Sequence, residues 1–203
     1  MSAPEPLPLF PLQAVLFPGG LLGLKVFEAH YLDLVSTCLR TRQPFGIVCL
    51  RRGSDAGRGA VQLESVGTLA HIEQVDGEQA GILQMRCLGG SRFTLSGAPE
   101  QQPDGLWRAA VLPLADDPAV GPEPRMSATV AALAQAIQSL KAQGNLPFVE
   151  PFRLNDAGWV ANRWCELLPI SLAAKQKLME LDDPQLRLRL VDEYLRNKGV
   201  LGA

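Results

Sequence analysis

Apolar residues open the chain in two runs, residues 7–16 and 21–27, separated by Phe17-Pro18-Gly19-Gly20. Pro18 holds φ at about −65° and either glycine accepts φ > 0, so these four residues predict a sharp reversal. The runs are short and interrupted by Pro and Gly, which suits strands that find partners further along the sequence. Tyr31, Leu34, Val35, Cys38 and Leu39 then recur at helical spacing, predicting a helix over residues 28–41 with one apolar stripe. Arg40 and Arg42 fall in its last turn and Pro44 stops it. Residues 45–50 read as a buried strand and residues 51–59, RRGSDAGRG, as a flexible loop.

From Val66 the period becomes two. Val66, Thr68, Ala70 and Ile72 share one face of a strand; Gly67, Leu69, His71 and Glu73 share the other. Asp76-Gly77 predicts a hairpin turn, with a return strand over residues 82–88 that ends at Gly89-Gly90. Residues 92–95 and 107–114 supply two more strands. Short strands with glycine-rich breaks predict a bent, barrel-like sheet with one inserted helix.

Residues 115–124, ADDPAVGPEP, are acidic, proline-rich and without periodicity, and mark the one boundary in the chain. Beyond them the pattern is helical. Val130, Leu133, Ile137 and Leu140 form a stripe that stops at Gly144. Asp156 caps a helix carrying Val160, Trp164, Leu167 and Leu168, closed by Pro169; Ser171 caps the next, with Leu178 and Leu181 inward. Asp183-Pro184 opens a last helix through Leu186, Leu190, Val191 and Tyr194. The expected fold class is α+β: a sheet-rich subdomain over residues 1–114, a linker over 115–124 and a helical bundle over 125–203.

Composition excludes several functions. Net charge is −2, and dividing the chain at Pro118 gives 9 basic and 12 acidic residues before it, 10 and 9 from it onward. Neither half carries the footprint of a nucleic-acid or anionic-membrane binder. No apolar run is long enough to span a bilayer, and the N-terminus lacks the basic and apolar regions of a secretory signal. Cys38, Cys49, Cys87 and Cys165 are dispersed in apolar surroundings, without CxxC or zinc-ligand spacing, and predict reduced, buried thiols in a cytoplasmic protein. No metal or cofactor is expected.

Candidate chemistry is equally thin. The glycine-rich loop at 53–59 lacks the lysine and hydroxyl of a phosphate cradle. Ser171 and Lys175 have the spacing of a helix cap and an exposed basic residue, not of an activated nucleophile. His30 and His71 stand apart from each other and from any nucleophile, and a lone histidine is ordinarily surface or satisfied core.

Taken in order, PLFPL and VLFPGG, the helix after Phe27-Glu28, the block Val66-Gly67-Thr68-Leu69-Ala70-His71-Ile72, Asp76-Gly77, Gly89-Gly90-Ser91-Arg92-Phe93, and Trp159-Val160-Ala161-Asn162-Arg163 with Leu167-Leu168-Pro169 resemble the N-terminal domain of Lon-type ATP-dependent proteases. The resemblance covers residues 6–195 or so and implies a PUA-like pseudo β-barrel followed by a helical part. It further implies a non-catalytic module that binds protein or peptide clients, the ATPase and peptidase chemistry of full-length Lon residing in later domains. Phe17, Pro18, Leu22, Phe27 and Tyr31 are then the candidate binding residues: apolar side chains beside glycines that let a partner backbone approach. Two alternatives belong to other classes. A small-molecule hydrolase requires a closed polar pocket with a perturbed histidine or cysteine. An RNA binder, as other PUA-like barrels are, requires a basic face assembled from Arg51, Arg52, Arg58, Arg86 and Arg92.

Overall fold

A computed structural model describes residues 6–51 and 61–201, the side chains of Glu78 and Gln79 excepted. The fold is mixed α+β, with eight strands and five α-helices among the described residues, and it divides into two compact units, Met1–Ala115 and Asp116–Ala203.

The first unit holds the whole sheet. Its strands are β1 (Leu7–Leu12), β2 (Leu21–Val26), β3 (Phe45–Leu50), β4 (Leu63–Gln79), β5 (Ile82–Leu95), β6 (Glu100–Gln101), β7 (Trp107–Ala109) and β8 (Val111–Pro113), with helix α1 (Ala29–Thr41) between β2 and β3. They lie in the order β2-β5-β4-β3-β1-β7-β6, with β8 paired to β5 beyond the glycines. The β1–β3 pair is parallel and the others are antiparallel. β2 and β6 end the path, so the sheet is not closed among the described residues. Neighbouring residues of β1 serve opposite faces, as the strand period demands. Phe10 joins a core with Val26, Leu34, Val35, Phe45 and Met85 under α1. Leu9 joins Val48, Leu63, Phe93 and Ala109. Gly46 and Gly67 make room for the Phe93 ring: a Cβ at either would meet it at 2.7 or 2.6 Å.

The expected reversal forms. Gly20 N–H donates to the Phe17 carbonyl at 2.9 Å and Gly19 has φ +71°, the geometry of a type II turn with Pro at the first central position. That turn is fixed to β5 through Gly19 N–H to the Gly89 carbonyl and Gly89 N–H to the Gly20 carbonyl, both 2.8 Å. The Thr68 hydroxyl adds a buried bond to the Leu16 carbonyl at 2.6 Å.

Four local expectations give way to longer-range structure. Asp76-Gly77 is not the hairpin turn: β4 continues to Gln79 and the chain reverses at Ala80-Gly81, where Gly81 takes φ +78°. Gly89-Gly90 does not end β5: Gly89 stays in the ladder opposite Ala70 and receives the Phe17–Gly20 turn, and Gly90 lies at a register shift within the strand. Residues 107–114 are two strands on different partners, β7 against β1 and β6, and β8 against β5. Leu39, assigned to the buried stripe of α1, is 49% exposed. The loop expected at 51–59 lies outside the described residues, apart from Arg51.

The second unit consists of a short 3-10 turn (Pro124–Met126) and helices α2 (Ser127–Ala142), α3 (Ala157–Leu167), α4 (Leu172–Glu180) and α5 (Pro184–Asn197). Three caps form where the sequence places them. Asp156 accepts from Trp159 N–H, Ser171 from Ala174 N–H, and Asp183 from the N–H groups of Gln185 and Leu186. On α5, however, Leu186 and Leu190 face outward while Arg187, Leu188, Val191 and Leu195 are buried. The Arg187 guanidinium donates to both oxygens of Asp117 at 2.5 and 3.2 Å, to Asn162 Oδ1 at 3.0 Å and to the Leu178 and Leu181 carbonyls. A Cβ at Gly158 would stand 2.7 Å from the Asp117 carboxylate, so the glycine admits it. Gln185 to the Gly121 carbonyl and Arg189 to Glu123 fasten the same segment. The residues expected to be a linker are therefore strapped along their own helices.

Gly89 is the sharpest test of the sheet unit. A Cβ there would lie 2.2 Å from the Phe17 carbonyl oxygen, a backbone atom that cannot swing aside. Gly89→Ala is expected to cost about 3 kcal/mol, while Gly23→Ala, with nothing within 4 Å, stays within about 1 kcal/mol of wild type. Urea unfolding of the two variants checks this; equal midpoints would remove the constraint.

Candidate functional site

The five candidate residues are not one surface. Phe17 is 1% exposed, and its side chain belongs to the interior while its carbonyl closes the turn. Pro18 is half-buried in that turn. Leu22, on β2, packs against the core below α1. Tyr31 stacks on Phe10, ring centroids 3.9 Å apart and planes 12° from parallel, and touches the His30 ring at 4.2 Å. Burial, with a smaller push from Glu28, raises the Tyr31 hydroxyl to about 12, which suits a sealing ring rather than an acid-base group. Phe27 is the exception: 62% exposed, it follows the last residue of β2 and precedes α1.

Two features of the sheet unit have the geometry of a binding surface. The first is β2 itself, which among the described residues pairs with β5 alone. Alternate N–H and C=O groups of such a strand point away from its one neighbour. Leu22 and Leu24 face the core, and Gly23 and Lys25 are exposed. The second is a cleft of about 600 Å³ along α1, whose walls include His30, Asp33 and Leu34 on the helix, Leu7 on β1, and Asp104 and Arg108 on the β6–β7 turn and β7. Its size falls within the range of ligand pockets. In the second unit a shallower hollow of about 360 Å³ is lined by Pro122, Val130, Ala131, Ala134 and Leu154, among others.

The groups weighed for chemistry are dispersed or buried. All four cysteines are free and buried, and burial pushes Cys49 up to about 11 and Cys87 and Cys165 up to about 12. None is an activated thiolate. Ser171 Oγ is occupied as a cap, and Lys175 Nζ donates to the Glu166 carbonyl at 3.1 Å. His71 is exposed beside Gly90, and His30 lies on the cleft wall with its Nε2 3.5 Å from Glu28. Among the described residues no group of three or more His, Cys, Asp or Glu side chains could hold a metal. Among the described residues only Arg86 of the expected basic face is both exposed and outside an ion pair. Arg92 is buried with a bond to the Ala115 carbonyl, Arg51 pairs with Glu64 at 3.2 Å, and Arg52 and Arg58 lie outside the described residues. No described helix is long and apolar enough to cross a membrane.

One electrostatic feature of the helical unit is passed over by hydrophobic patterning. Arg163 is fully buried in α3, its guanidinium 5.7 Å from the Phe148 ring centre and 5.6 Å from that of Trp159, and it donates to Glu166 at 2.6 Å. Burial raises the Glu166 carboxyl to about 7, against the lowering pull of Arg163 and Lys175. A sequence signal exists in the Phe148, Phe152 and Trp159 aromatics around one arginine, a pattern of cation–π packing.

Comparison with known proteins gives one answer. The family model of the ATP-dependent protease La (LON) substrate-binding domain matches residues 6–197. A Lon protease of Anaeromyxobacter dehalogenans (strain 2CP-C) is 26% identical over 202 residues, covering 96% of this chain and 23% of the relative. Lon protease 2 of Myxococcus xanthus is 39% identical over 70 residues, covering 34% and 8%. The chain thus spans less than a quarter of the length of these curated relatives. Among solved structures, the Lon N-terminal domain protein from Xanthomonas campestris is similar at 30% identity and TM-score 0.74, covering 94% of this chain and 98% of that one. The N-terminal domain of the Mycobacterium avium complex Lon protease shares the fold at 19% identity and TM-score 0.64, covering 95% and 99%. No protease or ATPase domain is found within these 203 residues.

The Glu166 carboxyl makes stability depend on pH. Its folded pKa, about 7, lies above the ordinary glutamate value of 4.5. Its contribution is therefore fully present below about pH 4.5 and is lost as pH rises through 7. Glu166→Gln is expected to remove that part of the dependence, so the difference in thermal midpoint between variant and wild type changes between pH 5 and pH 8, in favour of the variant at the higher pH. A constant difference would place the carboxyl pKa in the ordinary range.

Proposed function

Because the chain belongs to the Lon substrate-binding domain family, we propose that it is a non-catalytic module that binds extended, apolar polypeptide segments by adding them to the open edge of β2 beside Phe27. The observation that carries this reading is the end position of β2 in the sheet, followed at once by a large exposed aromatic side chain. Strand addition draws affinity from main-chain hydrogen bonds, which any sequence can make, and selectivity from alternate side chains. Phe27 supplies the apolar contact, and Leu22 and Tyr31 hold β2 and the start of α1 on the core beneath it. Pro18 sets the turn that leads into β2, while Phe17 acts through its backbone.

Finer architectural features belong to the same proposal. The register shifts in the β3–β4 and β4–β5 ladders and the apolar packing on both sheet faces support a PUA-like pseudo-barrel, since bulges bend and twist a strand. Residues 125–203 are its companion helical bundle. Unfolded or partly unfolded clients, passed on to a separate protease or chaperone in the cytoplasm, are the class of partner that such a module suits. The buried thiols, the capping role of Ser171 and the separated histidines support binding without catalysis. The burial of Arg92 speaks against RNA.

Fluorescence anisotropy with short labelled peptides that alternate Leu or Val with Ser or Thr tests the reading. Covering Phe27 fully is worth about 1.5–3 kcal/mol, so Phe27→Asp is expected to weaken binding about tenfold to a hundredfold with an unchanged thermal midpoint. The same peptides N-methylated at alternate amides are expected not to bind. Unchanged affinity in Phe27→Asp rules out this face, and retained binding of the N-methylated peptides rules out strand addition.

A further inference from the structure

We propose that the cleft along α1 is a binding site for a basic side chain, lysine or arginine, carried by the polypeptide segment that pairs with β2. This inference rests on the substrate-binding reading above and adds a specificity to it. The cleft begins at Ala29, three residues beyond Val26 at the end of β2, and so within about 11 Å along the chain. A segment that pairs with β2 and runs on past its Val26 end is therefore within reach of the cleft.

The chemistry of the walls selects the occupant. Two carboxylates line the cleft, Asp33 on the exposed side of α1 and Asp104 in the β6–β7 turn, while Glu28, outside the lining, faces the cleft residue His30 at 3.5 Å. One guanidinium, that of Arg108, stands against them, with a bond to the Pro6 carbonyl at 3.3 Å. Asp104 accepts from Leu106 N–H through Oδ1 alone, at 2.9 Å, which leaves its second oxygen available. The excess of acid is thus arranged around an apolar floor made by Leu7, Leu34, Leu106 and Pro44. Lysine and arginine are the side chains that match such a surface, with an aliphatic stem to lie on the floor and a cationic head to reach the carboxylates. An acidic segment would meet like charge, and a purely apolar one would strip water from Asp33 and Asp104 without replacing it. Gly105 keeps the turn close to the helix. Its φ is +93°, and a Cβ there would come within 3.3 Å of the His30 ring, so the Asp104 wall is held beside the first turn of α1.

The test uses pairs of labelled apolar peptides that differ only in lysine or norleucine at one position, scanned along the peptide. Wild type is expected to bind the lysine peptide about threefold to thirtyfold tighter at one register, the preference shrinking as salt is raised. In the folded double variant Asp33→Asn, Asp104→Asn the ratio is expected to fall to about one, and Asp104→Asn retains the acceptor for Leu106 N–H. Equal affinities for lysine and norleucine peptides in wild type at every register, or a lysine preference that survives in the double variant, overturns the cleft assignment and leaves the β2 edge standing. Failure of both peptides to bind wild type overturns both readings.

Discussion

The sheet unit depends on one close approach of backbone to backbone. The Phe17–Gly20 turn is held to Gly89 by two hydrogen bonds, with the Phe17 carbonyl so near that no side chain fits at residue 89. This contact sets where β2 begins against β5, and the β2–β5 register runs from it without a shift, Leu21 on Leu88 through Val26 on Leu83. Register in turn decides which residues of β2 are inward. A slip of one position would exchange Leu22 and Leu24 for Gly23 and Lys25. The Thr68 hydroxyl, bonded to the Leu16 carbonyl inside the protein, ties β4 to the approach of the same turn. Three stretches far apart in sequence are therefore brought into register by a proline, three glycines and a threonine, each needed for its size, its backbone conformation or its hydrogen bond.

That dependence explains which parts of the fold are legible in the residues alone. The turn itself, α1, the buried β3 and the caps at Asp156, Ser171 and Asp183 are local events whose causes lie within a few residues of their effects. They can be read directly. Gly89-Gly90 cannot, because glycine is ambiguous: it marks a break when nothing approaches it and a contact when something does. The approaching atom belongs to a residue some seventy positions earlier. The hairpin is a similar case. Asp76-Gly77 has the composition of a turn, but Ala80-Gly81 also supplies a positive φ, and pairing of Asp76 with Gln84 draws the strand past the first signal. The exposure of Leu186 and Leu190 follows from a competition that hydrophobic counting omits. α5 turns Arg187 inward because Asp117, Asn162 and two carbonyls together satisfy its guanidinium.

The two buried arginines give the helical unit its particular packing. A buried guanidinium costs far more unpaired than a buried leucine gains, so its partners fix position more strictly than apolar contacts do. Arg187 makes its pair with the extended segment before α2, and in doing so converts an acidic, proline-rich stretch into a strap across its own helices. Arg163 pairs within α3 and rests against aromatic rings. In the first case the partner is distant and the effect is architectural. In the second it is one turn away, and the effect is on the carboxyl, which burial lifts to about 7. The candidate binding residues divide along the same line, since Phe17, Leu22 and Tyr31 serve the interior and Phe27 alone is presented.

An open strand edge and a charged cleft solve different halves of a recognition problem. Main-chain hydrogen bonds are indifferent to side chains, so an edge by itself accepts almost any extended segment and distinguishes little. A partly exposed ion pair distinguishes well but contributes little affinity, because water and salt compete for both charges. Placed within one short stretch of chain, the two would act together in the recognition proposed. In the proposed complex the edge would fix the segment, and the ordering of the backbone would already be offset when the basic side chain met Asp33 and Asp104. Selectivity would be read from a group that could not bind alone. The same reasoning explains why no dedicated catalytic constellation is needed for such a module to discriminate. The turn at Gly89 holds β2 in register, Tyr31 on Phe10 anchors the first turn of α1, and the two surfaces are offered in a fixed order along the chain.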